Sequence, residues 1–214
     1  MPLFRRSTLP NAITVGRIVL APAILLLLLD EDASARLLAF VLFLIAAFSD
    51  LWDGYLARKH GWISDFGKLV DPIADKLLLV VTFVPFYVLS HRANAQPLPL
   101  WRTLPLWVVL VVFGRELLIT VIRALAARRG IVIPAGKAGK YKALAQNIFI
   151  GTTIFWYALE SAARENGWAG RGWEAWKSFH GAVLAVTLLA AVALTVYSLV
   201  VYLWGWRSLV KQVA

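Results

Sequence analysis

The sequence predicts an all-α, polytopic membrane protein of six transmembrane helices, and three observations carry that expectation. Of its 214 residues, 60% are hydrophobic and only 16% charged, with a mean hydropathy of +0.72. That balance is far too apolar for a water-soluble domain. A spanning helix needs about 20 apolar residues, and stretches of that kind recur at roughly 12–29, 35–58, 70–90, 103–125, 141–161 and 179–204. Basic residues, finally, collect on alternate connections. Arg5, Arg6, Arg58, Lys59, Lys68, Lys76, Arg123, Arg128, Arg129, Lys137, Lys140, Lys142, Arg207 and Lys211 fall on the side of the two termini. The opposite side carries Arg36, Arg92, Arg102, Arg164, Arg171 and Lys177, offset by Asp30, Glu31, Asp32, Glu160, Glu165 and Glu174. The positive-inside rule then places both termini in the cytoplasm. No long linker or low-complexity tract interrupts the chain, so residues 1–214 read as a single domain. The net charge of +10 is a topology signal and an attraction for anionic lipid rather than a nucleic-acid footprint. The absence of cysteine excludes disulfides, thiolate catalysis and Cys-ligated metal.

Residues 1–11 form a polar and aromatic entry, expected to lie on the membrane surface as a short interfacial segment. Arg5 and Arg6, the apolar run to Leu29 and Ala33-Ser34-Ala35 have the outline of a signal peptide. The acidic Asp30, Glu31 and Asp32 just before the supposed cleavage site argue against it. In the first span Asn11, Thr14 and Arg17 recur at i, i+3, i+6. They read either as a helix cap with a snorkelling arginine or as polar groups placed for a ligand, since charge is rare inside a span. The second span runs into DLWDGYLARKHGWISDFGKLVDPIAD, residues 50–75, around which the chain is organised. Asp50, Asp53, Gly54 and Ala57 share one helix face by spacing, and Asp71 and Asp75 share a face of the next helix. Two such helices side by side converge four carboxylates, which only cations render tolerable away from water. Oxygen ligands without Cys or His suit Mg²⁺, Mn²⁺ or Ca²⁺ rather than Zn²⁺. Gly54 and Ala57 leave that face bare for a ligand. Arg58 has the planar donor fork that suits a phosphate. Gly61 and Gly67 bound a short turn, and Asp65 is a loop or capping residue. Two competing roles stand beside the metal: Asp71-Pro72 has the form of an N-cap with proline at N1, and Asp75 could pair with Lys76.

Residues 91–102 read as an outer turn with aromatic anchors and an exposed His91. The fourth span holds Arg115-Glu116 inside an apolar run, with Arg123 within about 80° of Arg115 on a helix. Lys140 and Lys142 follow just before the fifth span. Inward guanidiniums and ammoniums make an anion site, and an acceptor that itself carries phosphate would fit it. Residues 160–178 read as a mixed-charge outer loop and His180 as interfacial. The last span carries no acidic residue, lysine or arginine between Phe179 and Trp204 and serves packing, dimer contact or a lipid-facing wall.

The stretch 50–75 resembles the signature of the CDP-alcohol phosphotransferase family, D-x-x-D-G-x-x-A-R-x8-G-x-x-x-D-x-x-x-D. Asp50, Asp53, Gly54, Ala57, Arg58, Gly67, Asp71 and Asp75 occupy every fixed position. The resemblance implies that Asp50, Asp53, Asp71 and Asp75 hold two divalent cations, Mg²⁺ or Mn²⁺, on the pyrophosphate of a CDP-linked lipid. It gives Asp75 the further role of general base. The N-x-x-T-x-x-R of Asn11, Thr14 and Arg17 is similar to the first helix of phospholipid synthases of this family, where it lies near the nucleotide. With Gly54, Ala57, Arg58 and Gly67 these residues are the expected CDP-diacylglycerol contacts. Arg115, Glu116, Arg123, Gly139, Lys140, Lys142 and Gln146 resemble the R-E-(x)7-R and G-K-x-K-T-x-x-Q runs of the branch using glycerol phosphate, the bacterial phosphatidylglycerophosphate synthases. Ala143 departs from the usual Thr there. Arg115, Arg123, Lys140 and Lys142 are the expected holders of the acceptor phosphate.

What the resemblance implies is transfer of a phosphatidyl group from CDP-diacylglycerol to sn-glycerol 3-phosphate, giving phosphatidylglycerophosphate and CMP. It implies a homodimer in the bacterial inner membrane with its site facing the cytoplasm. A related member using inositol phosphate or phosphatidylglycerol shares the Asp site and differs in the basic pocket. A cation transporter would use the acidic cluster as an ion site, but transport does not call for nucleotide-fitting glycines, and no duplicated Asp motif is present.

Overall fold

The computed structural model describes residues 8–60, 65–92, 97–128 and 136–213. The side chains of residues 8–10, 51, 53–60, 65–66, 68–69, 137 and 206–213 are outside that description. Six helices make up the described chain: α1 Thr8–Leu29, α2 Ala33–His60, α3 Asp65–His91, α4 Leu106–Arg128, α5 Lys137–Asn166 and α6 Arg171–Val213. They pack as a ring in the order α3, α1, α2, α5, α6, α4, with α4 returning to α3 and α3 also touching α5 across the middle.

The interior is aromatic. Phe149 of α5 lies 5.6 Å from Phe83 and edge-on, 6.2 Å, to Phe86, both on α3, while Phe86 stacks on Tyr157 at 6.0 Å. Phe83 also meets Phe113 of α4 edge-on at 6.3 Å. Rings in these tilted and edge-on geometries contribute beyond the area they bury. Large apolar side chains also point outward: Leu26, Leu110, Leu117, Val186 and Leu189 are all more than half exposed. Apolar surface on that scale is a lipid-facing wall, not the exterior of a soluble domain.

Four helices are long and apolar enough to cross a bilayer by length and composition, in the segments Asn11–Leu29, Ala33–Asp50, Val70–His91 and Arg171–Gly205. α4 departs because Arg115, Glu116 and Arg123 interrupt it, and α5 because Gln146, Asn147, Thr152 and Thr153 dilute its middle. The ring is thus an all-α bundle of the kind a polytopic membrane protein forms.

Three expectations about connections are corrected. Residues 160–178 are mostly helical: α5 continues to Asn166, Gly167 closes it at φ 65°, and α6 begins at Arg171. The charges that suggested a loop pair along helix faces instead, Glu160 with Arg164 at i, i+4 and Glu174 with Lys177 at i, i+3. His180 is buried rather than interfacial, bonded to the Thr152 carbonyl at 3.0 Å and stacked on Trp156. Gly67 sits inside α3, which starts at Asp65, so it does not bound a turn.

At the far end of α1, Asp32 caps α2. Its carboxylate accepts the Ala35 N–H at 2.9 Å and the Ser34 hydroxyl, and these bonds hold its pKa below the usual carboxylate value. The α2–α5 contact is fixed there by Glu165, which accepts the Ala33 N–H at 2.7 Å. Arg36, expected among the outer topology charges, is instead buried. It donates to the Ser161 hydroxyl at 2.7 Å and lies over the Tyr157 ring.

The α3–α4 connection folds into a tight turn, closed by paired backbone bonds between Leu98 and Arg102, and docks on α6 at Gly181. A Cβ on Gly181 would stand 2.8 Å from Leu100 Cγ and 3.0 Å from Pro99 Cβ. Gly181→Ala is therefore expected to lower stability by about 1–2 kcal/mol, read as a lower thermal midpoint in detergent. An unchanged midpoint would show that the turn is not seated on α6.

Candidate active site

Thr14 and Arg17 stand one turn apart on α1, Asp50 lies two-thirds of the way along α2, and Asp71 and Asp75 lie one turn apart early in α3. Because α1 packs on both α2 and α3, those five side chains meet. Arg17 Nη1 donates to Asp75 Oδ1 at 2.9 Å and to Asp50 Oδ1, while Nη2 lies 3.6 Å from Asp71 Oδ1. Thr14 Oγ1 donates to Asp71 Oδ1 at 2.7 Å. The guanidinium is 3% exposed, against 37%, 48% and 56% for the side chains of Asp50, Asp71 and Asp75. The carboxylates thus turn one side to a buried cation and keep the other open.

Arg17 does not snorkel, since its charge is neutralised within the bundle. Asp71 lies in the second turn of α3 rather than at its N-cap, so the capping role does not apply. Lys76 donates to Thr120 Oγ1 of α4 at 2.7 Å, and the ion partner of Asp75 is Arg17. The side chains of Asp53, Gly54, Ala57 and Arg58 lie outside the described residues. Gly67 is described in the first turn of α3, and Asn11 in the turn of α1 before Thr14.

A second charged cluster lies alongside. Glu116 accepts Arg115 Nη1 at 3.1 Å and Lys142 Nζ at 2.7 Å. A cavity of about 100 Å³, lined by Arg17, Asp50, Asp75, Glu116, Lys142, Gln146 and Asn147 among others, joins it to the carboxylates. Arg123, expected beside Arg115, lies over the ring of Tyr202 on α6, 5.5 Å from its centroid. Lys140 faces a larger groove between α2 and α5, of about 660 Å³. That groove has Asp50, Asp71, Asp75, Lys140 and Asn147 at its polar end and Phe40, Phe43, Leu44, Phe48 and Phe155 along its apolar length. Gly151 lies in its wall, where a Cβ would meet Phe43 at 3.4 Å.

One polar residue was not foreseen: Asn147 lines both cavities. Gln146, matched by the motif but given no role, is 1% exposed and donates to Thr195 of α6 at 3.0 Å. A signal for Asn147 was present: with Lys140 at i−7 and Gly151 at i+4, it belongs to one non-hydrocarbon stripe on α5.

Among the described residues no group of three or more Asp, Glu, His or Cys is arranged to hold a metal ion. The donor set nonetheless fits a hard divalent ion, since Asp50, Asp71 and Asp75 offer only oxygen.

A model of the CDP-alcohol phosphatidyltransferase family matches residues 7–210. The chain belongs to that family. It is 37% identical over 153 residues to a probable phosphatidylglycerophosphate synthase of Mycobacterium tuberculosis, covering 70% of this chain and 67% of that one. It is 35% identical over 158 residues to the CDP-diacylglycerol–glycerol-3-phosphate 3-phosphatidyltransferase of Bacillus subtilis, covering 68% and 76%. With the enzyme of that name from Cereibacter sphaeroides it shares 29% identity over 219 residues, 93% of this chain and 92% of the other. As a member of this family the protein is a phosphatidyltransferase of phospholipid biosynthesis, and its bacterial relatives and apolar helices make it a bacterial membrane protein.

Glu116 is the shared ion partner of Arg115 and Lys142, so Glu116→Ala is expected to cost about 3 kcal/mol of stability. The double variant Glu116→Ala/Lys142→Met should recover a large part of that loss in thermal unfolding. If the double variant is less stable than Glu116→Ala alone, the pair is not what Glu116 supports.

Proposed function

We propose that this phosphatidyltransferase moves the phosphatidyl group of CDP-diacylglycerol to sn-glycerol 3-phosphate, releasing CMP and forming phosphatidylglycerophosphate. The observation that carries this reading is the junction at Asp50, Asp71 and Asp75. From it an apolar groove leads one way, suited to acyl chains, and a small cavity leads the other way to Lys142 and Glu116. The Bacillus subtilis and Cereibacter sphaeroides relatives, both named as glycerol-3-phosphate 3-phosphatidyltransferases, support the same acceptor.

In this reading Asn11, Thr14 and Arg17, with Gly54, Ala57, Arg58 and Gly67, receive the CDP moiety, and the α2–α5 groove receives lipid tails. Arg115, Arg123, Lys140 and Lys142 attract the acceptor phosphate, and their charge raises its local concentration at the site. Asp75 accepts the proton of the attacking hydroxyl as the new O–P bond forms and the P–O bond to CMP breaks. Asp50, Asp53, Asp71 and Asp75 would hold two Mg²⁺ or Mn²⁺ ions, which when bound supply charge neutralisation to the pyrophosphate and to departing CMP. Before substrate binds, Arg17 holds Asp75 Oδ1 at 2.9 Å and so sets the direction of the carboxylate.

All six helices cross the bilayer in this reading, and residues 1–214 act as one domain. An even number of crossings returns both termini to one face. The basic residues there place it, with the site, in the cytoplasm. The chain works as a homodimer in the bacterial inner membrane.

The deciding assay gives purified protein CDP-diacylglycerol with glycerol 3-phosphate, inositol phosphate or phosphatidylglycerol, in Mg²⁺, in Mn²⁺ and after chelation. CMP release with glycerol 3-phosphate and divalent ion is expected. Release only with one of the other acceptors would overturn the acceptor assignment, and full activity after chelation would overturn the metal. Asp75→Asn should keep CDP binding and lower kcat by 10² or more; near-normal turnover would remove Asp75 as base. Arg115→Ala should raise the KM for glycerol 3-phosphate about tenfold with a smaller change in kcat, and an unchanged KM would take it out of the pocket.

A further inference from the structure

We propose that Arg17 is the resident counter-ion of the carboxylate cluster and is handed over from carboxylate to diphosphate when divalent ions bind. This rests on the metal reading above and adds an order to it: cation and CDP-lipid binding are coupled through one α1 side chain.

The argument begins with burial. A guanidinium 3% exposed, inside a helix of the bilayer type, is tolerable only if its charge is met nearby. It is met by Asp50, Asp75 and Asp71, from two other helices. Those carboxylates are the ones a divalent ion would require, and Arg17 already engages one oxygen of each. Each N–H that Arg17 donates takes a lone pair from a carboxylate. A divalent ion in the same nest would also stand within a few ångströms of a fixed positive charge, at low dielectric. Guanidinium and divalent ion therefore compete for one set of ligands.

Among the described residues, a displaced Arg17 has few other carboxylates to turn to. The other carboxylate lining its small cavity is Glu116, already engaged by Arg115 and Lys142. The opening ahead is the one in which a diphosphate would lie, and a planar fork of donors suits that ligand. With diphosphate present, Arg17 exchanges carboxylates for phosphate oxygens without becoming an unmet buried charge. By linkage, each ligand then tightens the other, and Arg17 contributes part of that mutual effect.

The signature is a pair of opposite changes in one variant. Mn²⁺ binding to the full chain in detergent, without nucleotide, is measured by the loss of free Mn²⁺ resonance; CDP binding is measured at saturating Mn²⁺. Arg17→Gln is expected to tighten Mn²⁺ about tenfold and to weaken CDP about tenfold or more. Arg17→Lys, which keeps the charge but loses the fork, should fall between wild type and Arg17→Gln on Mn²⁺. A merely structural lesion would weaken both ligands. Thermal unfolding gives a second readout: Arg17→Gln should melt earlier than wild type without metal and gain more from Mn²⁺. If wild type binds Mn²⁺ and Arg17→Gln binds it no tighter, the hand-over is wrong while the metal reading stands. If neither protein binds Mn²⁺ at millimolar concentration with or without CDP, the metal reading falls and the hand-over with it.

Discussion

The ion cluster of buried Arg17 with the half-open Asp50, Asp71 and Asp75 is the interaction on which the rest of the structure depends. It draws on three helices, and none of its members is tolerable alone in an apolar bundle. Three carboxylates without a cation repel one another; a buried guanidinium without anions has lost its water and gained nothing. Their mutual need sets the rotation of α1 against α2 and α3, which nonspecific packing of leucines and valines leaves loosely determined. Lateral association of helices in lipid has no hydrophobic drive of its own, so polar contacts of this kind carry unusual weight in fixing the register.

Around that cluster the bundle divides its labour. The aromatic centre made by Phe83, Phe86, Phe149 and Tyr157 ties α3 to α5 and holds the two walls on which the polar groups stand. On one side α5 turns Lys142 to Glu116 of α4 and Gln146 to Thr195 of α6. On the other it leaves Gly151 bare toward α2, opening the apolar groove. One helix therefore borders both the charged cavity and the apolar groove. Its low hydropathy, which sets it apart from the strongly apolar helices, follows from that double duty. An enzyme acting as proposed, on a lipid and a water-soluble phosphate, needs such a border, because the two reactants are stable in opposite solvents.

Much of this was legible in the sequence. Spans could be placed because hydropathy is a local sum, and helix boundaries fell within a few residues for α1, α2, α3 and α4. Boundaries failed where charge was taken for solvent exposure. Glu160, Arg164, Glu174 and Lys177 read as a loop because charges at i, i+3 and i, i+4 cancel on a helix face only once the helix is known to exist. Asp71-Pro72 read as a cap for a related reason: the dipeptide has that form wherever it occurs, and only the extension of α3 back to Asp65 moves it into the interior.

What the sequence by itself determined is the inventory: that the chain is built of long helices, where its basic residues fall, and which residues occupy the family's motif positions, since spacing along one helix is a property of the chain alone. The tertiary structure decided who meets whom. Arg17 finds carboxylates 33 and 58 positions away, and Lys142 finds Glu116 at a separation of 26. It also turned Arg123 toward Tyr202 rather than toward Arg115's partners. Such pairings depend on the packing angle and rotation of neighbouring helices, which arise from the whole bundle and leave no periodic trace in any one segment.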